Sequence, residues 1–386
     1  MAPQSNYNTC AEPVLTRVRR TVRSIGGALR THYPAFALGL PLRRDALPVF
    51  VYHDVEPERF TQDLEFLHRN HYRTLSLDEF MAAGASKSGR VGRAVLLTFD
   101  DARRNFHDVA LPVLRKFDAR ATLFVPSYWM SAAQSLPPDT EQFMTWEQVR
   151  ASAQSGLVDV QSHGHRHALV FTSDQLLDFA NPRTLARYDI YDWPMRNTAT
   201  GDALGRPPLG TPLYAATPLL SAKGRFLEDP ELAAACAELV ARSGGPDFFR
   251  RPGWAQPLRA LVRAASGRSA GRYLLPPAVE SLLASEFEQC RYLFQRHLGM
   301  TPEFFAYPWM MGSDLSLEIA RRFGLRAVFG VALDYARAGD PRLPVRAFGR
   351  FKADWLPLLP GAGRSSFLSV AAAKIAGIPG TQHLVH

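Results

Sequence analysis

The sequence predicts an α/β fold, a parallel sheet or barrel carrying one long insertion, and three observations predict it. Short apolar runs recur along the chain, amphipathic helical stretches separate them, and the alternation stops between Ala168 and roughly Val279, where proline, glycine and aromatic residues take over. A parallel strand is covered on both faces, so it is written as a nearly continuous apolar run rather than an alternating one. With 386 residues the chain is long enough for one large barrel with insertions or for two ordinary domains.

Taken in order, residues 1–45 are a basic extension. Val14, Leu15, Val18, Val22, Ile25 and Leu29 sit at helical spacing with Arg17, Arg19, Arg20, Arg23 and Arg30 around them. That predicts a basic amphipathic helix, which either makes peripheral contact with a membrane or packs on its own domain with its arginines in water. The barrel is expected over 46–360. Its strands are Val49–Tyr52, Ala94–Phe99, Ala121–Val125, Leu157–Gln161, Phe304–Tyr307 and Arg326–Val331. Its helices are Arg59–Asn70, Val109–Phe117, Trp146–Ser155, Val279–Leu298 and Leu315–Phe323. The insertion, about 168–279, shows one clear helix, Pro230–Ser243, and is expected to pack over the barrel mouth. Residues 361–386 form a tail, with a loosely packed Ala- and Gly-rich helix from about Leu368.

Hydrophobic residues at 46% and charged residues at 21% support a substantial core and exclude extended disorder. Lys and Arg outnumber Asp and Glu by 45 to 36, a surplus concentrated at the start of the chain. Such a surface attracts anionic lipid, a nucleotide or an acidic glycan; no nucleic-acid partner is expected. Cys10, Cys236 and Cys290 are odd in number and far apart, so they make neither a disulfide framework nor a metal knuckle. No run approaches the ~18 apolar residues of a membrane span, and the first 30 residues lack the apolar core and cleavage site of an export signal. A cytoplasmic location is therefore expected, with membrane association through the basic helix as its variant.

Ligands of parallel α/β folds bind at the carboxyl ends of the strands, and the chemistry-bearing residues fall there. Thr98-Phe99-Asp100-Asp101 ends a strong apolar strand, so two adjacent carboxylates emerge pointing in different directions. If one binds a divalent metal, the other can take a proton from water beside it. After another strand comes His163-Gly164-His165-Arg166-His167, in which His163 and His167 are four apart, a spacing that in one helical turn puts both imidazoles on one side. Two imidazoles and a carboxylate make a facial set suited to zinc or a neighbouring first-row metal. His165 would point elsewhere. Arg346 and Arg350 follow the last strand, where an arginine orients Asp100, binds substrate or makes a surface salt bridge. Trp129, Trp193, Tyr214 and Trp254 are candidates to stack on sugar faces, each weighed against a place in the core.

These residues carry a resemblance. Thr98 to Asp101 and His163 to His167 resemble the first two signature motifs of the polysaccharide deacetylase (NodB-homology, carbohydrate esterase 4) family, and Phe304-Phe305-Ala306-Tyr307-Pro308-Trp309 is similar to the third. The opening Val51-Tyr52-His53-Asp54-Val55 resembles the branch of poly-N-acetylglucosamine deacetylases. The resemblance implies a distorted (β/α) barrel of the NodB-homology type that removes N-acetyl groups from an amino sugar or glycan. It implies that Asp100 is the general base, that Asp101, His163 and His167 bind a divalent metal, zinc first with cobalt, nickel or manganese as alternatives, and that a backbone N–H near Trp309 stabilises the oxyanion. Many members protonate the leaving amine with a late histidine, but no histidine lies between His297 and His383; the Tyr-His branch implies His53 in that role. Three departures stand out: Gly164 where Ser or Thr is usual, Trp309 where Tyr is usual, and Met310 where Gly is usual. Two other functions remain on the same fold, hydrolysis of a non-sugar C–N amide and non-catalytic carbohydrate binding. An iron oxygenase using two histidines and a carboxylate is a third, disfavoured by the surrounding motifs.

Overall fold

The computed structural model describes Phe36, Leu42 and residues 47–85, 92–132, 142–266, 271–330 and 343–376. Nine strands share one sheet: β1 (Val49–Tyr52), β2 (Arg73–Thr74), β3 (Ala94–Phe99), β4 (Ala121–Val125), β5 (Val158–Ser162), β6 (Phe304–Ala306), β7 (Ala327–Phe329), β8 (Arg346–Phe348) and β9 (Phe351–Lys352). Their order is β8-β7-β6-β5-β4-β3-β1-β9, with β2 beside the start of β3, and every pair is parallel. Only Gly349 and Arg350 separate β8 from β9, which hold opposite edges of the sheet. The sheet therefore curls until its edges meet across one short bent segment, the distorted (β/α) barrel expected from the sequence.

The strands form where the sequence is apolar because both faces are covered. All six residues of β3, Ala-Val-Leu-Leu-Thr-Phe, are buried, and its one polar member, Thr98, donates its hydroxyl to the Phe50 carbonyl at 2.9 Å. The helix after β1, Pro57–Arg69, starts with proline in its first turn and a Glu56 carboxylate accepting from Arg59 N–H, and it buries Phe60, Leu64 and Leu67. Trp146–Ala153 opens on a capping box of Thr145 and Gln148. Pro276–Leu298 stops at Gly299, whose φ of 69° is the left-handed cap that glycine accepts without strain.

Two expectations need correcting. The predicted helix Val109–Phe117 is split into a wide π turn over Phe106–Ala110 and an α-helix over Leu111–Phe117. The insertion holds more helix than expected: Pro182–Arg187 and Ala255–Ser266 join Pro230–Arg242. Ala255–Ser266 was hidden by Pro257, which stands in the first turn, where the missing N–H costs no hydrogen bond. Its Leu258 and Val262 share a small core with Phe179, Cys236, Val240 and Phe248, separate from the barrel's own. Leu169–Phe179 pairs with Pro212–Pro218 as the insertion's long antiparallel ribbon. The tail helix runs over Phe367–Ala376. The basic amphipathic helix of residues 1–45, Cys10 and Val331 lie outside the described residues. No described helix is long and apolar enough to cross a membrane.

Candidate metal centre and its catalytic groups

Five strand ends converge on one side of the barrel. Asp100 and Asp101 follow β3, residues 163–167 follow β5, Tyr307 to Trp309 follow β6, His53 follows β1, and Arg350 lies between β8 and β9. Asp101, His163 and His167 are all buried, and each offers a ligand atom within 4.8 Å of the other two. Asp101 Oδ1 stands 3.5 Å from His163 Nε2 and 3.4 Å from His167 Nε2. That oxygen is buried and receives no hydrogen bond. His163 Nδ1 is 2.9 Å from the Ala306 carbonyl; donating there fixes the tautomer and leaves Nε2 with its lone pair toward Asp101. A buried carboxylate oxygen with no donor, faced by an imidazole lone pair, fits a divalent cation held by two nitrogens and one oxygen.

The histidine segment is a loop and not the helical turn its spacing predicted. Gly164 has φ +84° and His167 φ +47°, so the chain reverses twice and still brings the two rings to 4.9 Å between centroids. The glycine at 164 thus has a backbone reason. Its N–H donates to Ser162 Oγ at 3.1 Å, and the next two N–H groups, of His165 and Arg166, both donate to Glu286 Oε2 at 3.2 and 2.8 Å. The buried Glu286 carboxylate also accepts from Arg166 Nε at 2.5 Å. His165 turns away and bonds Ser127 Oγ through Nδ1 at 2.9 Å. Left-handed backbone recurs around the site: Asp101, Ala102, His167, Trp309 and Met310 are five of the seven non-glycine residues with positive φ among the described residues. Such conformations cost about 1–3 kcal/mol each and persist only where packing dictates them. Met310, with φ +58°, stands where a glycine would sit without strain.

Asp100 is held differently. Arg350 clamps both its oxygens at 2.7 Å, guanidinium and carboxylate being almost wholly buried. Burial by itself would push the Asp100 carboxyl up; the charges of Arg350 and His163 and the Arg350 hydrogen bonds outweigh it and hold the group below its usual range. Burial would likewise raise Asp101, but the His163 contact and the charges of His167, His53 and Arg103 hold it well below that range. His53 Nε2 is 4.0 Å from Asp100 Oδ2, on a side chain 22% exposed, so it faces both the carboxylate and solvent. A cleft of about 370 Å³ lined by His53, Asp54, Arg59, Asp63 and Lys352 opens on that side.

Beside His167 the wall is aromatic. The His167 ring stacks on Tyr191 at 3.9 Å and meets Trp309 at 4.2 Å. Arg103, almost fully buried, lies 3.8 Å from Asp101 Oδ2, bonds Asp189 at 2.5 Å and covers the rings of Phe143 and Tyr191. Tyr191 and Asp189 belong to the insertion. Of the four aromatic residues considered for sugar stacking, Trp129, Trp193 and Tyr214 are buried in the core, and Trp254 packs on Phe249 and Phe179.

The sequence-predicted residues Asp100, Asp101, His53, His163, His167 and Trp309 therefore lie together, with Arg350 in the orienting position and Arg346 exposed outside it. Sequence reasoning missed Arg103, Tyr191 and Glu286. Arg103 stands two residues after Asp101 and carries a weak signal by that proximity. Glu286 and Tyr191 carry none, because they reach the histidine loop from distant elements.

The polysaccharide deacetylase family model matches residues 87–194. The chain is 28% identical over 116 residues to the poly-beta-1,6-N-acetyl-D-glucosamine N-deacetylase of Escherichia coli (strain K12), a match covering 28% of this chain and 17% of that protein. It is 28% identical over 129 residues to YxkH of Bacillus subtilis (strain 168), which is named for the polysaccharide deacetylases; that match covers 31% of this chain and 43% of YxkH. The matches thus span less than half the length of either relative. Among solved structures, the BpsB deacetylase domain from Bordetella bronchiseptica aligns over 79% of this chain and 96% of its own, at 18% identity and a TM-score of 0.49.

Proposed function

We propose, from the premise that this chain carries a polysaccharide deacetylase domain, that it is a metal-dependent hydrolase removing acetyl from the amide nitrogen of an amino sugar in a glycan. The observation that carries the proposal is the buried group Asp101, His163 and His167 beside an Asp100 whose two oxygens are clamped by Arg350. Asp101, His163 and His167 would hold the cation, and the two-nitrogen, one-oxygen set favours zinc, with cobalt, nickel or manganese as alternatives. The cation supplies Lewis acidity, lowering the pKa of water toward about 7 and polarising a carbonyl.

The chain's own groups divide the remaining work. Asp100, kept ionised and aimed by Arg350, takes the proton of the attacking water. A backbone N–H near Trp309 donates to the oxygen of the amide carbonyl as it gains charge. His53, 4.0 Å from Asp100 and partly open to the cleft, protonates the departing nitrogen so that it leaves as an amine. Acetate and a free amino sugar result. Tyr191 and Trp309 shield the His167 side from water, and through Tyr191 and Asp189 the 168–279 insertion shapes the mouth.

The test is acetate release from N-acetylglucosamine oligomers by metal-loaded protein, beside chelated protein and Asp100→Asn, with circular dichroism as the folding control. Release that requires metal and is lost in Asp100→Asn supports the reading. Tight metal binding without release from any glycan moves the assignment to a non-sugar amide, and failure to bind metal removes the catalytic reading.

A further inference from the structure

The insertion holds a second cavity that the proposed reaction does not use. About 450 Å³ in volume, it lies between the segment Arg196–Ala199 and the first turns of the helix Pro230–Arg242. None of the site residues described above lines it. Its apolar lining includes Pro230, Ala233 and Ala237, and its polar lining includes Arg196, Asn197 and the buried Glu228, with Glu231 exposed to solvent. Ala234 and Ala199 stand exposed at its rim, so the cavity reaches solvent.

Its polar lining is unfinished. Glu228 is 3% exposed; one carboxylate oxygen accepts from Asn197 N–H at 2.8 Å, while Oε2 is buried and takes no hydrogen bond. Arg196 Nε is also buried and unpartnered. Burial pushes the Glu228 carboxyl up to about 7 and the Arg196 guanidinium below its usual value. A native fold seldom leaves a buried acceptor and a buried donor unmade on the lining of one cavity, and where that cavity is open to solvent such groups await something from outside. Their signs narrow its chemistry. A cation is attracted by Glu228 but opposed by Arg196, and an anion meets the reverse. A hydroxyl answers both, donating to the carboxylate and accepting from the guanidinium. The alanine and proline lining offers contact to an apolar face on the same ligand. Neutral polyols with one apolar face are pyranose rings, and the volume falls within the usual range of about 300–1,000 Å³ for small-molecule sites.

We propose that this cavity is a non-catalytic saccharide site holding one neutral pyranose unit, with hydroxyls between Glu228 and Arg196 and its C–H face on Pro230, Ala233 and Ala237. It rests on the deacetylase reading only for the identity of the glycan that supplies the unit. Together the two sites engage one long chain twice, which raises apparent affinity for polymer over monomer without any new contact at the reacting sugar.

The test is calorimetric titration of the full chain with an N-acetylglucosamine pentamer and with its fully deacetylated, cationic counterpart. The variants are Ala234→Trp, which plugs the rim from an exposed position, and Glu228→Gln, which removes the charge at constant shape. The expected result is binding of the neutral pentamer weakened about tenfold or more in both variants and retained in Asp101→Asn, with acetate release from a monomeric substrate unchanged by Ala234→Trp; a tenfold change corresponds to the loss of one good hydrogen-bonded contact. Superimposable isotherms for wild type and Ala234→Trp, no binding of the neutral pentamer, or equal binding of the cationic one overturn the proposal. Absence of acetate release from every glycan, with pentamer binding still sensitive to Ala234→Trp, instead overturns the catalytic reading and leaves the saccharide site standing.

Discussion

Replacing Glu286 tests whether the histidine loop is held from outside. This carboxylate, 2% exposed at its side chain, accepts from His165 N–H, Arg166 N–H and Arg166 Nε, so it fastens the two residues that immediately precede His167. Glu286→Gln keeps the shape and one acceptor oxygen but loses the charge facing Arg166. Hydrogen bonds to charged groups are worth about 1.5–3 kcal/mol, and one such bond is lost outright, so destabilisation of about 2 kcal/mol is expected. Glu286→Ala removes every acceptor and leaves a guanidinium only 15% exposed with Asp202 Oδ2, 3.5 Å away, as its remaining carboxylate, which places the cost toward the lower end of the ~3–5 kcal/mol typical of a broken buried pair. The catalytic consequence is separate from stability. Groups that orient metal ligands typically change affinity by about 10–100-fold when removed, and Glu286 acts on His167 through two adjoining peptide units. Urea unfolding of chelated protein measures the first quantity, and competition of loaded protein with a chromogenic chelator measures the second. If Glu286→Ala unfolds within about 1 kcal/mol of wild type and gives up its metal at the same chelator concentration, the loop is self-supporting and the argument fails.

Other outcomes follow from the same geometry. Arg350→Met leaves Asp100 buried without its clamp and is expected to lower kcat/KM by at least about 100-fold, the size of a lost general base, while metal affinity falls far less; an equal loss of both would make Arg350 a purely structural residue. Gly164→Ala meets only ordinary contacts, Phe305 at 3.7 Å and Glu286 at 3.8 Å, so its cost is that of the left-handed backbone alone, about 1–2 kcal/mol by thermal unfolding; a larger loss would mean the loop had moved. Asp63 is buried and accepts from Tyr52 O–H at 2.9 Å, and burial pushes its carboxyl up to about 7 against that bond and the charge of Arg59. Between its unfolded value near 4 and about 7, the folded state keeps a proton that the unfolded state has released, so stability falls as pH rises through this window and is level above it. Asp63→Asn keeps an acceptor for Tyr52 and removes that slope, nominally about 4 kcal/mol over the whole window and about 2.7 kcal/mol of it between urea titrations at pH 5 and pH 8; an unchanged pH slope in the variant would refute the assignment.

What the sequence made legible is what local pattern encodes. β3 is an unbroken apolar run ending in Asp100 and Asp101, and β5 ends at the histidine segment, so a parallel sheet with its site at the carboxyl ends could be read directly from residue order. Arg350 was visible as a candidate because it follows the last strand. The loop conformation between His163 and His167 was not visible: a four-residue separation fits a helical turn equally well, and only the positive φ of Gly164 and His167 distinguishes the two. Glu286 lies more than a hundred residues from the N–H groups it accepts from, on a helix whose pattern explains its burial face but gives no reason for a carboxylate there. The aromatic residues misled for the opposite reason. Trp129 and Trp193 suit a sugar face and a core equally by type, and packing, which composition does not record, put both inside.

Spacing alone does not tell two adjacent aspartates apart; the resemblance assigns them different roles, and their different hydrogen bonding supports the proposed division. Both oxygens of Asp100 are taken by Arg350, an ion pair buried deeply enough that moving the carboxylate onto a cation would strand the guanidinium. Asp101 has the opposite deficit: its Oδ1 is buried, lacks any donor and is faced by two imidazoles, so a cation there satisfies an oxygen that the fold has left unmet. Their positions agree with the division. Asp101 has φ +69°, and its Oδ1 faces both imidazoles, whereas Asp100, whose Oδ2 lies 3.6 Å from His163 Nε2, faces one of them and is held by the closing segment of the barrel. Because Arg350 sits between the two strands that join the sheet's edges, closing the barrel is the same event that fixes Asp100. On the proposed reading, a fold that fails to close loses the clamp on its candidate base and keeps its candidate metal ligands together.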